Sequence, residues 1–135
     1  MNADSYIGAW ELDPATLSYQ HGRPGRRAVY TIRPIPGGLE FSLDADDADG
    51  KPISFTYGGS LDGLDKPLPG MTDAVLVLGW TSDGLIESVL KRCGVVVDRW
   101  TREVLPDRDT MRIIQWGHKP DGREFQNVGL YRRRR

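Results

Sequence analysis

Apolar and polar residues alternate along this chain in short runs, and no window sustains a helical period. In order the runs read YIGAWELD, RRAVYTIRP, GLEFSLDAD, KPISFTYGG, DAVLVLGW, LIESVLKR, VVVDRWTREV, TMRIIQWGH and REFQNVGLYRR. Each closes on Gly, Pro or Asp within roughly ten residues, the rhythm of antiparallel strands joined by tight turns. The turns are PGG at Pro36, DADG at Asp47, TSDG at Thr81, RCG at Arg92, LPDRD at Leu105 and KPDG at Lys119. In such turns Pro presets the first φ and Gly accepts a positive one. About nine strands in an up-and-down meander either close into a barrel or split into a sandwich. Two segments fall outside the pattern: Pro14 to Gly25, a long first connection, and Ser60 to Thr72, a Gly- and Pro-rich candidate lid or rim loop.

Turn chemistry predicts which residues face each other. At KPDG, Lys119 opposite Arg123 sets Gln115 against Asn127, Gly117 against Phe125 and Met111 against Tyr131. At DADG, Leu43 faces Phe55 and Phe41 faces Tyr57. A Gly37-Gly38 turn puts Ile32 against Leu43 and Tyr30 against Ala45. At KRCG, Lys91 opposite Val95 sets Ser88 against Asp98, Ile86 against Trp100 and Leu90 against Val96. Across LPDRD, keeping apolar residues together sets Trp100 near Ile113 and Asp98 near Gln115.

These pairings agree on one face: Tyr30, Ile32, Phe41, Leu43, Phe55, Tyr57, Ile86, Leu90, Val96, Trp100, Met111, Ile113 and Phe125. A polar row of Ser88, Asp98, Gln115 and Asn127 crosses it. The row is either a satisfied polar seam or the contact set of a ligand cavity; a desolvated Asp98 would then be an acid or base, with Arg102 near enough to neutralise it. The opposite face carries Ile114, Trp116, Val128 and Leu130, a candidate homodimer surface or a bed for the first loop.

Charge narrows the function classes. The chain of 135 residues has a net charge of −1, which recruits neither nucleic acid nor anionic membrane, and its one block of basic residues is Arg132 to Arg135. The apolar runs are too short to span a bilayer, and no signal peptide is read at the N-terminus. Cys93 is the single cysteine, which makes the cytoplasm the default compartment. The whole chain, 1–135, reads as one domain.

Motifs for chemistry are sparse. DADDADG at Asp44 lacks an acid at Ala45 and a Glu at Thr56, so it fails as a calcium loop. His21 and His118 lie in different connections without metal-ligand spacing; no metal and no cofactor is expected, and His118 is a rim residue or, at its boldest, a haem ligand. Gly-x-Ser-x-Gly and phosphate-binding glycine loops are absent.

Gly8-Ala9-Trp10 followed by Glu-Leu resembles the Gly-x-Trp opening of the lipocalin and fatty-acid-binding calycin barrels. The whole chain is similar to small bacterial lipocalin-like proteins, through GAWELDP, VYTIRP, DADGKPISFTY, LDG-D-KPLPG, TDAV, DRDTM and KPDGREFQNVGLYRR. The resemblance implies an all-β, up-and-down antiparallel β-barrel of lipocalin/calycin type, with about 8–10 strands and an interior pocket for a small, largely apolar molecule. It implies that Trp10 packs across the barrel floor, covered by Arg132 or Arg133. The chain departs from fatty-acid binders in lacking a helical cap and an evident Arg-Arg-Tyr carboxylate clamp.

The expected function is binding of a small hydrophobic or aromatic molecule. Tyr30, Phe41, Phe55, Tyr57, Trp100 and Ile113 supply the walls, and Ser88, Asp98, Gln115 and Asn127 fix orientation. The alternative is a cofactor-independent isomerase, cyclase or lyase with Asp98 as general acid/base, assisted by Gln115, Asn127 or His118.

Overall fold

The computed structural model describes residues 2–68 and 70–135. After a 3-10 turn, Asp4–Tyr6, come ten strands: β1 Gly8–Tyr19, β2 Arg27–Ile35, β3 Gly38–Asp46, β4 Pro52–Gly59, β5 Asp65–Pro67, β6 Ala74–Trp80, β7 Ile86–Arg92, β8 Val95–Val104, β9 Thr110–His118 and β10 Glu124–Arg133. They form one antiparallel sheet in the order β4-β3-β2-β1-β10-β9-β8-β7-β6-β5. The two chain ends meet at β1–β10, so the free edges are internal strands, β4 and β5. The sheet curls round until these edges flank a seam that no ladder closes. Among the described residues no helix is long and apolar enough to cross a membrane.

Period-two alternation explains the core. Ala28, Tyr30 and Ile32 of β2 are buried, as are Leu39, Phe41 and Ala45 of β3 and Ala74, Leu76 and Leu78 of β6. Trp10, Phe41, Ile32, Leu78, Ile86 and Met111 are fully enclosed.

The floor is built around Trp10. Its indole N–H donates to the Tyr6 carbonyl at 3.0 Å, and the Arg133 guanidinium lies 4.1 Å from the ring centroid. Arg133 in turn donates to the carbonyls of Ile7 and Ser5, each at 2.8 Å, and of Arg108 at 3.1 Å. Gly8 makes room for this: a Cβ there would sit 2.8 Å from the Arg133 Nη1, and its φ of +140° suits glycine alone. Arg132 is exposed and pairs with Asp13 at 3.3 Å, so the cover over Trp10 is Arg133.

Several expectations change. β1 runs on past Pro14 to Tyr19 through a bulge, because the Thr16 hydroxyl accepts the Leu130 N–H at 2.9 Å where backbone pairing lapses. The Gly- and Pro-rich stretch holds a short edge strand, β5, paired to β6. KPDG and DADG give the registers expected from their turn chemistry. The other three hairpins shift by two residues. The β2–β3 turn uses Pro36-Gly37, so Tyr30 faces Leu43 and Ile32 faces Phe41. The β7–β8 turn uses Cys93-Gly94, both at positive φ, and a bulge follows at Leu90/Lys91. Ser88 therefore faces Trp100, Leu90 faces Asp98, and Trp100 faces Gln115 across β8–β9. Even shifts preserve the inward face and change only the neighbours.

Candidate functional site

Inside the sheet lies a cavity of about 840 Å³. Its walls are mostly apolar, with Leu12, Ala28, Leu43, Ala45, Leu76 and Leu90 beside the aromatic residues described below. One side opens at the seam, where Ile53, Phe55 and Met71 are exposed although they line the cavity.

Of the residues singled out in the sequence, Tyr30, Phe55, Tyr57, Ser88, Trp100, Ile113, Gln115 and Asn127 line this space. Phe41 lies behind the wall, fully buried against Tyr30 and Tyr57. Asp98 and His118 stand outside it. The two-residue register shift carries Asp98 towards the rim, beside Gly117, where it lines a separate small cleft with His118, Glu124 and Trp116. Gly117 permits that packing, since a Cβ would meet the Phe125 ring at 2.7 Å and the Asp98 carboxylate at 2.8 Å. Burial raises the Asp98 pKa above the usual carboxylate value, and the hydrogen bond from Gln115 offsets part of the rise. His118 is exposed, 3.8 Å from Glu124.

The polar row is largely self-satisfied. Gln115 donates to Asp98 at 3.3 Å and accepts from Asn127 at 3.2 Å. Asn127 accepts the backbone N–H groups of Gln20 and His21 and donates to the His21 carbonyl. It straps the β1–β2 connection across the barrel end, and His21 rests against Phe125 with centroids 5.0 Å apart. Holding that connection occupies all the polar atoms of Asn127.

The residue that sequence reasoning missed is Arg102. It is only 2% exposed, lies in the cavity wall, and faces Ile86 on one side and Ile113 on the other. Its Nη1 donates to Ser88 Oγ at 2.8 Å; its Nη2 donates to the hydroxyls of Tyr30 at 2.9 Å and Tyr57 at 2.5 Å. The two phenol oxygens are 2.6 Å apart. The Nε is buried without a partner, and no carboxylate forms an ion pair with this guanidinium among the described residues. Burial pushes the Tyr57 phenol well above its ordinary range, against a partial pull from Arg102, and burial likewise raises Tyr131. The raised Tyr57 phenol carries no charge near pH 7, and no carboxylate among the described residues balances the charge on Arg102. The available signal was the alternation of β8, which puts Arg102 on the same face as Trp100; sequence reasoning used it only as a neutraliser of Asp98, on the same strand.

No family model matches this chain, and no curated protein matches it in sequence. Solved structures do match in shape. Wild-type UnaG, a fluorescent protein, superposes with a TM-score of 0.67 at 14% identity, covering 98% of this chain and 100% of that one. A point mutant of UnaG gives 0.66 at 14% identity, with 99% of each chain covered. The siderocalin Ex-FABP gives 0.51 at 13% identity over 97% of this chain and 75% of that chain. The chain shares the curled antiparallel β-sheet architecture of these structures. At this level of identity the likeness extends to backbone architecture, and the side chains of the cavity are this protein's own.

Proposed function

We propose that this protein binds a small, largely apolar molecule carrying an anionic group, with Arg102 as the counter-charge and the barrel interior as the container. The observation that carries the reading is the buried guanidinium with no carboxylate partner. An isolated charge removed from water costs several kcal/mol, and proteins offset that cost with a partner. Here the neighbours are the hydroxyls of Tyr30, Tyr57 and Ser88, which can turn protons towards an incoming acceptor. A carboxylate, enolate or sulfonate in the cavity completes the set, while Trp100, Phe55 and Ile113 cover the apolar remainder. Ex-FABP, of the same fold, is described as functioning through dual ligand specificities, which supports a ligand-binding role. Cys93, exposed and without a disulfide partner, supports a cytoplasmic site of action. The half-buried outer cluster of Ile114, Trp116, Val128 and Leu130 is the surface that a homodimer would use.

The test is a fluorescence titration with anilinonaphthalene sulfonate, an anionic aromatic dye. Saturable one-site binding is expected, with Kd raised at least about tenfold in Arg102→Met. The variant should fold as well as the parent or better, since it removes an unpaired buried charge at similar volume. Equal dye affinity in parent and variant would overturn the reading.

A further inference from the structure

The wall of the cavity also carries a line of rings that anion binding alone does not require, running from the buried Phe41 to the opening. Register sets Phe41 opposite Tyr57 and Leu43 opposite Phe55, so three aromatic side chains run along the inner face of β3 and β4. Phe41 and Tyr57 stack at 5.3 Å with planes 21° apart, and Tyr57 and Phe55 stack at 5.7 Å and 25°. Elsewhere the core packs its rings edge to face: Tyr30–Phe41 at 71°, Tyr30–Tyr131 at 85° and Tyr6–Trp80 at 69°. Among the described residues, parallel stacking is thus confined to the wall beside the seam.

The two ends of this ladder differ. At its buried end the Arg102 guanidinium lies 4.8 Å from the Phe41 ring centroid. At its outer end Phe55 is 46% exposed although it faces the cavity, on an edge strand with no neighbour across the seam. The stack therefore ends on an exposed ring at the opening. Met71, 37% exposed and lining the same opening, has a flexible thioether that adapts to a flat surface.

We infer that the cavity selects a flat, conjugated acid over a saturated acid of the same carbon skeleton, the ring system extending the Phe41–Tyr57–Phe55 stack while Arg102 holds the acid. The inference rests on the anion-anchor reading and adds the chemical class of the cargo. Stacked rings attract through offset π contacts that a puckered, saturated ring cannot reproduce. A planar molecule also fits a seam between an edge strand and a loop with little conformational entropy to lose.

The experiment compares naphthoate with decahydronaphthoate, equal in skeleton and charge, by isothermal titration calorimetry on the full chain. The parent should bind naphthoate about fivefold to tenfold more tightly. Phe55→Leu keeps an apolar side chain at an exposed position; thermal denaturation checks that it folds. In this variant the preference should fall to about twofold or less through weaker naphthoate binding, with decahydronaphthoate affinity unchanged. Equal affinities in the parent, or an unchanged preference in Phe55→Leu, would show that the ladder only packs the wall. If both acids bind equally and both are lost in Arg102→Met, the anchor stands and the planar preference falls. If neither acid binds the parent, the anchor and the preference fall together.

Discussion

Three arginines lie against aromatic rings here: Arg99 on the outer Trp116, Arg133 on the floor and Arg102 in the cavity, and the floor and the cavity treat theirs differently. On the floor, Arg133 covers Trp10 and gives all three of its nitrogens to backbone carbonyls, with Asp109 a further 3.7 Å away. In the cavity, Arg102 meets three side-chain hydroxyls and keeps its Nε–H unpartnered. The first arrangement is complete within the chain; the second leaves a buried charge without a counter-charge, which is the opening the proposed anionic ligand would fill.

Breaking the floor has the largest expected effect. Trp10→Ala removes a fully enclosed indole and should lower unfolding free energy by about 3–5 kcal/mol in urea denaturation. A loss under about 1 kcal/mol would mean that the floor is not held by this residue. Arg133→Met comes next, at about 2–3 kcal/mol, because the carbonyls of Ser5, Ile7 and Arg108 lose their donors. Set beside Arg102→Met, it sharpens the contrast: the floor variant should lose stability and keep dye affinity, and the cavity variant the reverse. Were both to lose stability equally, the distinction between the two arginines would collapse.

The smallest effect concerns acid sensitivity beside the floor. Asp107, at the β8–β9 turn, is held below the usual carboxylate pKa, chiefly by the Thr110 hydroxyl and also by the backbone N–H of Asp109. A depressed folded-state value means that its contribution is present above the unfolded pKa and is lost as pH falls through the carboxylate range. Asp107→Asn should therefore flatten the acid limb of a Tm-against-pH profile and leave dye binding at neutral pH unchanged. An acid limb of unchanged slope would remove Asp107 from the account.

Much of the container was legible in the residues themselves. Period-two alternation gave the strands, and the Gly-bearing turns KPDG and DADG gave two registers, because turn geometry there is decided within four residues. The Gly-x-Trp opening pointed to a floor residue, yet only the ladder pairing Trp10 with Arg133 selected Arg133 over Arg132. The bulge at Leu90/Lys91 depends on how β7 and β8 twist against their neighbours, and local turn chemistry does not report it. The bulge and the one-residue difference in the turn, where Val95 faces Arg92, together displaced Asp98 and Arg102 along the barrel while leaving both on the inner face.

Sequence by itself determined the all-β class, the inward set of aromatic residues and the Gln115–Asn127 pairing, since alternation and turn preferences are local properties of the chain. Tertiary structure alone decided that Asp98 sits at the rim, that Asn127 straps the first connection, and that Arg102 lies among Tyr30, Tyr57 and Ser88. Those three hydroxyls come from β2, β4 and β7, strands far apart in the chain that converge only when the sheet curls. Desolvation of the guanidinium, on which the proposed site rests, comes from that convergence and has no signature in any local run of residues.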